Sequence, residues 1–84
     1  MQAGDRCDLE LREVIEIVVR RQGNKWLRFL QRVLGSKADA EDVMQEAVRR
    51  VLGRNRAFDS VDEAKMYLGR AVSNVAITVC NMRR

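Results

Sequence analysis

Residues 38–58, ADAEDVMQEAVRRVLGRNRAF, decide the fold, because they join a helical apolar pattern to two blocks of opposite charge. The first block has four carboxylates and no base: Asp39, Glu41, Asp42 and Glu46. The second block has four arginines and no acid: Arg49, Arg50, Arg54 and Arg56. Acid near the N-terminus and base near the C-terminus complement a helix dipole, so the stretch predicts one helix with two differently charged surfaces.

Capping signals predict where this helix and the one after it begin. Asp39 has the side chain of an N-cap residue, and Asp42 stands where the acid of a capping box stands. The helix should end at residues 53–55, and Ser60 with Glu63 forms a second capping box that starts the last helix. The predicted buried positions of these two helices are Ala40, Val43, Met44, Ala47, Val51 and Leu52, then Ala64, Leu68, Ala71, Val72, Val75, Val79 and Met82.

Upstream of the quoted stretch, apolar residues recur at helical spacing over residues 11–21 and again over residues 26–34. Gly23 and Asn24 separate the two runs and predict a stop followed by a new cap, or only a bend. A chain of 84 residues with 46% apolar content and no proline is one all-α domain, a compact bundle of three to four helices. We expect residues 1–8 to be a flexible N-terminus and residues 9–84 to form the domain.

The net charge of +4 lies entirely in the second half of the chain. Residues 1–42 hold eight basic and eight acidic residues, whereas residues 43–84 hold eight and four. This excess predicts a polyanionic partner for the second half. Arg49 and Arg50 are expected to complement the helix C-terminus and face solvent rather than bind DNA.

Catalytic and metal chemistry are not expected. The chain has no histidine, and Cys7 and Cys80 are too few for a zinc site and are expected to be reduced thiols. No segment resembles a signal peptide or a membrane span, which predicts a cytoplasmic protein with no membrane partner. The sequence therefore predicts a binding domain that is not an enzyme and needs no cofactor.

The octet from Asp39 to Glu46, DAEDVMQE, resembles the Asp-Ala-Glu-Asp-apolar-apolar-Gln-Glu helix of bacterial RNA polymerase sigma factors, particularly the extracytoplasmic-function group. The segments on both sides are similar to the same family: WLRFLQRVLGSKADAED before the octet and AKMYLGRAVSNVAITVCNMRR after it. Together they cover residues 9–84. The resemblance implies the all-helical region 2 domain of a sigma factor that acts in transcription initiation.

The resemblance assigns a partner to each charge block. It implies that five residues face the β′ clamp of RNA polymerase core: Asp39, Glu41, Asp42, Gln45 and Glu46. It implies that seven residues meet the non-template single strand of the promoter minus-ten element: Arg54, Asn55, Arg56, Phe58, Arg70, Ser73 and Asn74. An anti-sigma factor is a possible further partner. The family also has a domain that binds the minus-thirty-five element, so this chain is either an isolated region 2 or part of a longer protein.

An alternative stays open, in which the fold is kept as a helical protein-interaction module that has lost promoter capture. Several positions favour this alternative. The family commonly has an aromatic residue where this chain has Val51 with Leu52 and where it has Gly69, and it has arginine where this chain has Ser73. The role of Phe58 also stays open, since its ring is either a platform for a base or an apolar plug under its loop. The remaining aromatic residues, Trp26, Phe29 and Tyr67, are expected in the core or at its edge.

Overall fold

A computed structural model describes residues 10–54 and 57–82, and it contains three α-helices there: α1, Leu11–Leu34; α2, Lys37–Gly53; and α3, Val61–Met82. Each helix packs against both others. The prediction of an all-α bundle is therefore confirmed, with three helices. None of these helices is long and apolar enough to cross a membrane.

The predicted stop at Gly23 and Asn24 is wrong, because α1 runs through both residues. Gly23 is buried in the same helix as Val18 and Leu30, and a Cβ at this position would lie 3.5 Å from Cγ1 of Val19. Glycine in a helix costs only about 1 kcal/mol relative to alanine. Burial of the apolar residues on both sides outweighs that cost, so the two apolar runs form one helix.

The predicted N-cap of α2 is also wrong, because Ser36 and not Asp39 caps the helix. Ser36 has extended backbone angles, and its hydroxyl accepts a hydrogen bond from the backbone N–H of Asp39 at 3.3 Å. Gly35 adopts a left-handed φ of 75°, and its N–H donates to the carbonyl of Gln31 at 2.8 Å. This arrangement ends α1 and turns the chain into α2 within two residues.

The predicted boundaries around α3 are confirmed. Helix α2 ends at Gly53, within the predicted range. The Ser60 hydroxyl accepts from the backbone N–H of Glu63 at 3.1 Å, and the Glu63 carboxylate accepts from the backbone N–H of Asp59 at 2.7 Å. These two hydrogen bonds satisfy backbone donors at the start of α3.

The core lies between the three helices and is apolar throughout. Its fully buried large side chains include Ile15, Leu30 and Leu68, and every predicted stripe residue of α2 is buried or half-buried. Two predictions are wrong, because Phe29 is 58% exposed and Met82 is 78% exposed. Both follow the helical apolar spacing, yet each lies on a side of its helix that no other helix covers. Ala76 is buried, although it was not among the predicted core residues.

Candidate protein and nucleic-acid interfaces

Two depressions follow the line along which α2 and α3 pack, here called the α2–α3 seam. The first, the acidic cleft, has a volume of about 340 Å³ and lies where the start of α2 meets the end of α3. Its lining contains Asp39, Asp42, Gln45 and Glu46 from α2, with Arg49, Val43, Val75 and Val79. Four of the five predicted polymerase-binding residues therefore share one surface. The fifth, Glu41, is exposed on α2 and does not line the cleft.

Glu46, one of the carboxylates of this cleft, forms two ion pairs. Its Oε1 accepts from Nη1 of Arg49 and its Oε2 accepts from Nε of Arg50, each at 3.0 Å. Glu46 is 36% exposed, and the two arginines are 74% and 52% exposed. Exposed pairs of this kind contribute only about 0.3–0.5 kcal/mol to a helix. They orient the three side chains more than they stabilise the fold.

A larger apolar groove of about 710 Å³ lies between α1 and α2 and was not predicted. Its apolar lining consists of Ile15, Val19, Met44, Val48 and Leu52, and its polar lining consists of Arg12, Glu16, Arg20, Gln45 and Arg49. Gln45 and Arg49 line both this groove and the acidic cleft, so the two depressions adjoin. Ile15 and Val19 occupy adjacent turns of α1, but only the packing of α2 beside them makes a groove.

The second depression on the α2–α3 seam, the basic groove, has a volume of about 260 Å³ and lies where the end of α2 meets the first half of α3. Its polar lining comprises Arg50 and Arg54 from α2 with Tyr67, Arg70 and Asn74 from α3, beside Val51 and Ala71. Three arginines and one tyrosine thus line the same groove. Positive charge beside an aromatic face is the combination that binds single-stranded nucleic acid.

Two side chains contact the ring of Tyr67. The Cζ atom of Arg54 lies 4.7 Å from the centroid of the Tyr67 ring, which is a cation–π contact. The Phe58 ring also packs against Tyr67, at 5.5 Å between centroids with an interplanar angle of 58°. Phe58 is only 9% exposed, whereas Tyr67 is half-buried, as predicted. Phe58 is therefore buried beside the ring, and Tyr67 is the aromatic residue in the lining of the basic groove.

Gly69 does not belong to the basic groove. A Cβ at this position would lie 3.6 Å from Cζ2 and 3.8 Å from Cη2 of Trp26, so Gly69 faces α1. Trp26 is half-buried against the core, as predicted. A large side chain at position 69 would displace the Trp26 ring and would not enlarge the stacking surface beside Tyr67.

The structure brings together only some of the predicted DNA-binding residues. Arg54, Arg70 and Asn74 line the basic groove, whereas Ser73 is exposed outside its lining. Asn55 and Arg56 lie outside the described residues. Arg50 was expected to face solvent and is 52% exposed, and it also lines the basic groove and pairs with Glu46. Its i, i+4 spacing to Arg54 is visible in the sequence and could have identified it.

The described residues contain no group of three or more His, Cys, Asp and Glu side chains that could hold a metal ion. Cys80 is a half-buried free thiol, and Cys7 lies outside the described residues. The polar residues of the acidic cleft and the basic groove therefore present charge, hydrogen-bonding groups and one aromatic ring. This is the chemistry of binding surfaces.

A model of the family described as Sigma-70 region 2 matches residues 14–84. The comparison with curated proteins and the comparison with solved structures found no match. The family match confirms the predicted region 2 domain and supports a role in transcription initiation, with RNA polymerase core and promoter DNA as the molecules the family interacts with. Membership of the extracytoplasmic-function group stays a prediction.

Proposed function

The chain belongs to the Sigma-70 region 2 family, and on that premise we propose that it docks on the β′ clamp of RNA polymerase core and holds the non-template strand of the promoter minus-ten element. One observation carries the proposal: the acidic cleft and the basic groove lie at the two ends of one α2–α3 seam. A single pair of packed helices would thus hold the polymerase and the strand in a set relative orientation.

Docking would use the acidic cleft together with the adjoining apolar groove. The carboxylates attract a basic helical surface, which speeds encounter and sets orientation more than it adds affinity. The apolar lining of the groove includes the half-buried side chains of Val19 and Val48, which supply area that can be removed from water. Arg12 and Arg20 line the α1 side of that groove. Like-charge repulsion there would keep the basic residues of the partner over the acidic cleft.

Strand capture would use the basic groove. Arg54 and Arg70 offer charge to phosphates, Tyr67 offers a ring face, and the Asn74 amide can both donate to and accept from a base edge. Flipping a base out of the duplex costs a few kcal/mol, and stacking on an aromatic ring returns about 1–3 kcal/mol per base. The groove would thereby favour open DNA.

The remaining contacts are part of the same proposal and rest on the resemblance alone. They are the contact of Glu41 with the polymerase and the contacts of Asn55, Arg56, Phe58 and Ser73 with the strand. An anti-sigma factor as a further partner rests on the same resemblance. A cytoplasmic location rests on the sequence, in which no segment resembles a signal peptide or a membrane span.

The docking half is tested by the affinity of the fluorescently labelled chain for RNA polymerase core. Asp42→Lys places a cation in the acidic cleft, and we expect it to weaken binding by at least about tenfold, because like charges at an interface cost several kcal/mol. Asp62→Lys makes the same charge change on the exposed first turn of α3 and should bind like the wild type. Equal affinity of the two variants would refute docking through the cleft.

The alternative function is a helical protein-interaction module without promoter capture. It is favoured by the burial of Phe58, which leaves Tyr67 as the aromatic residue in the lining of the basic groove. Fluorescence anisotropy with a short oligothymidylate separates the two functions. Strand binding that falls in Arg54→Gln and Arg70→Gln would support capture. Core binding without any strand binding would support the alternative.

A further inference from the structure

Arg50 is shared by the two ends of the α2–α3 seam. It lines the basic groove, and its Nε donates at 3.0 Å to Oε2 of Glu46, a residue of the acidic cleft. Arg49 pairs with the other oxygen of the same carboxylate at the same distance. Arg49 lines the acidic cleft but not the basic groove. The Glu46 carboxylate is therefore paired with one arginine of the acidic cleft and one arginine of the basic groove.

We propose that the Glu46–Arg50 ion pair couples the two binding surfaces. A cationic group of a protein partner that takes Glu46 would release Arg50 for a phosphate in the basic groove. Because coupling between two binding sites is reciprocal, a phosphate that takes Arg50 would in turn free Glu46 for the protein partner. The inference rests on the proposed function, since it describes how the two proposed ligands influence each other.

Arg50 is the groove arginine whose charge is already engaged. Among the described residues, Arg54 contacts the ring of Tyr67, and neither Arg54 nor Arg70 forms an ion pair. The availability of those two guanidinium groups for phosphate therefore does not depend on a carboxylate. The availability of Arg50 for phosphate depends on Glu46. Through this pair, a ligand bound at one surface changes the affinity of the other surface for its ligand.

The pair is suited to exchange. Both side chains are partly exposed, at 52% for Arg50 and 36% for Glu46, so breaking the pair leaves no charge stranded in the core. Exposed i, i+4 pairs are weak, and their competition with a ligand shifts binding by only about twofold. The coupling therefore tunes affinity and does not act as an all-or-none switch.

Strand binding gives the first test. Oligothymidylate affinity is measured by anisotropy over a series of salt concentrations for wild type, Glu46→Gln and Glu41→Gln. Glu41→Gln removes the same charge from an exposed α2 position that has no ion pair within the described residues. We expect Glu46→Gln to bind oligothymidylate about twofold more tightly than Glu41→Gln. Its salt dependence should be steeper by about 0.7 in log–log slope, since one more phosphate is neutralised.

A double-mutant comparison assigns this gain to Arg50. In an Arg50→Gln background the gain in strand affinity caused by Glu46→Gln should vanish, whereas in an Arg49→Gln background it should persist.

Polymerase binding gives the reciprocal test. Arg50→Gln should bind core about twofold more tightly than Arg54→Gln, which removes the same charge from the same groove but frees no carboxylate. Circular dichroism confirms that each variant is folded.

The outcomes separate the two proposals. If all chains bind both ligands but Glu46→Gln and Glu41→Gln gain equally, or if the gain survives in Arg50→Gln, the coupling is refuted and the proposed function stands. If no variant binds the oligonucleotide at low salt, strand capture is refuted and the coupling falls with it. A gain that is confined to chains retaining Arg50 supports the coupling.

Discussion

The acidic cleft and the basic groove lie on one seam but are assembled differently. All the acidic residues of the cleft come from two turns of α2, at spacings that place them on adjacent faces of one helix. The arginines of the groove come from α2, from its C-cap Arg54 and from α3, and they line the groove together with Tyr67, whose ring contacts Arg54 and Phe58. Local spacing on α2 therefore suffices to bring the carboxylates of the cleft together, whereas the polar residues of the basic groove meet only when α2 and α3 pack.

The largest expected effect comes from a substitution in the core between the helices. Loss of helix packing should remove both the acidic cleft and the basic groove. Leu68 is fully buried in α3, and Leu68→Ala should lower the free energy of unfolding by about 2–5 kcal/mol. Urea unfolding followed by circular dichroism measures the change. Met66→Ala removes a side chain that is 68% exposed on the same helix and should change stability by no more than about 0.5 kcal/mol.

A more selective change separates the two surfaces. Tyr67→Ala removes the ring of the basic groove and should weaken oligothymidylate binding by about tenfold, because base stacking on an aromatic ring contributes about 1–3 kcal/mol. Tyr67→Phe keeps the ring face and the contact with Arg54, so its strand binding should stay close to that of the wild type. Both variants should bind polymerase core normally. Equal losses in the two variants would show that the hydroxyl and not the ring face acts.

The smallest expected effect lies at the acidic end of the seam. Ser36→Ala removes the N-cap of α2 and should cost about 1 kcal/mol of stability, whereas Ser36→Gly should cost only a few tenths. Fraying of the first turn would displace Asp39 and weaken core binding slightly, while the basic groove, more than three turns away on α2, would keep its strand affinity. A parallel loss of both affinities would mean that the two ends of the seam are not independently stable.

Errors in the helix boundaries arose where two signals competed. Gly23 resembles a stop, but its burial within a continuous apolar face keeps α1 intact through residue 34. Asp39 and Ser36 are both good caps, and the serine three residues earlier takes that role. By contrast, Ser60 with Glu63 had no competitor, and the start of α3 was predicted correctly.

Exposure of the aromatic residues could not be predicted in the same way. Phe29 and Trp26 follow the same apolar spacing, but only Trp26 is covered, because Gly69 on α3 leaves room for its ring. The role of Phe58 was left open because its position depends on where Tyr67 lies across the α2–α3 contact. Side-chain exposure at the edge of a small bundle is decided by the neighbouring helix.

The sequence by itself determined the all-α class, the start of α3, the acidic face of α2 and the resemblance to a region 2 domain, because each rests on residue patterns that can be recognised along the chain. Only the tertiary structure decided that α1 is one helix, that an apolar groove adjoins the acidic cleft, and that Arg50 joins Arg54, Arg70 and Tyr67 while paired to Glu46. Helical spacing specifies which side chains share a face. The faces that meet, and the grooves left between them, follow from how three helices exclude water from one core.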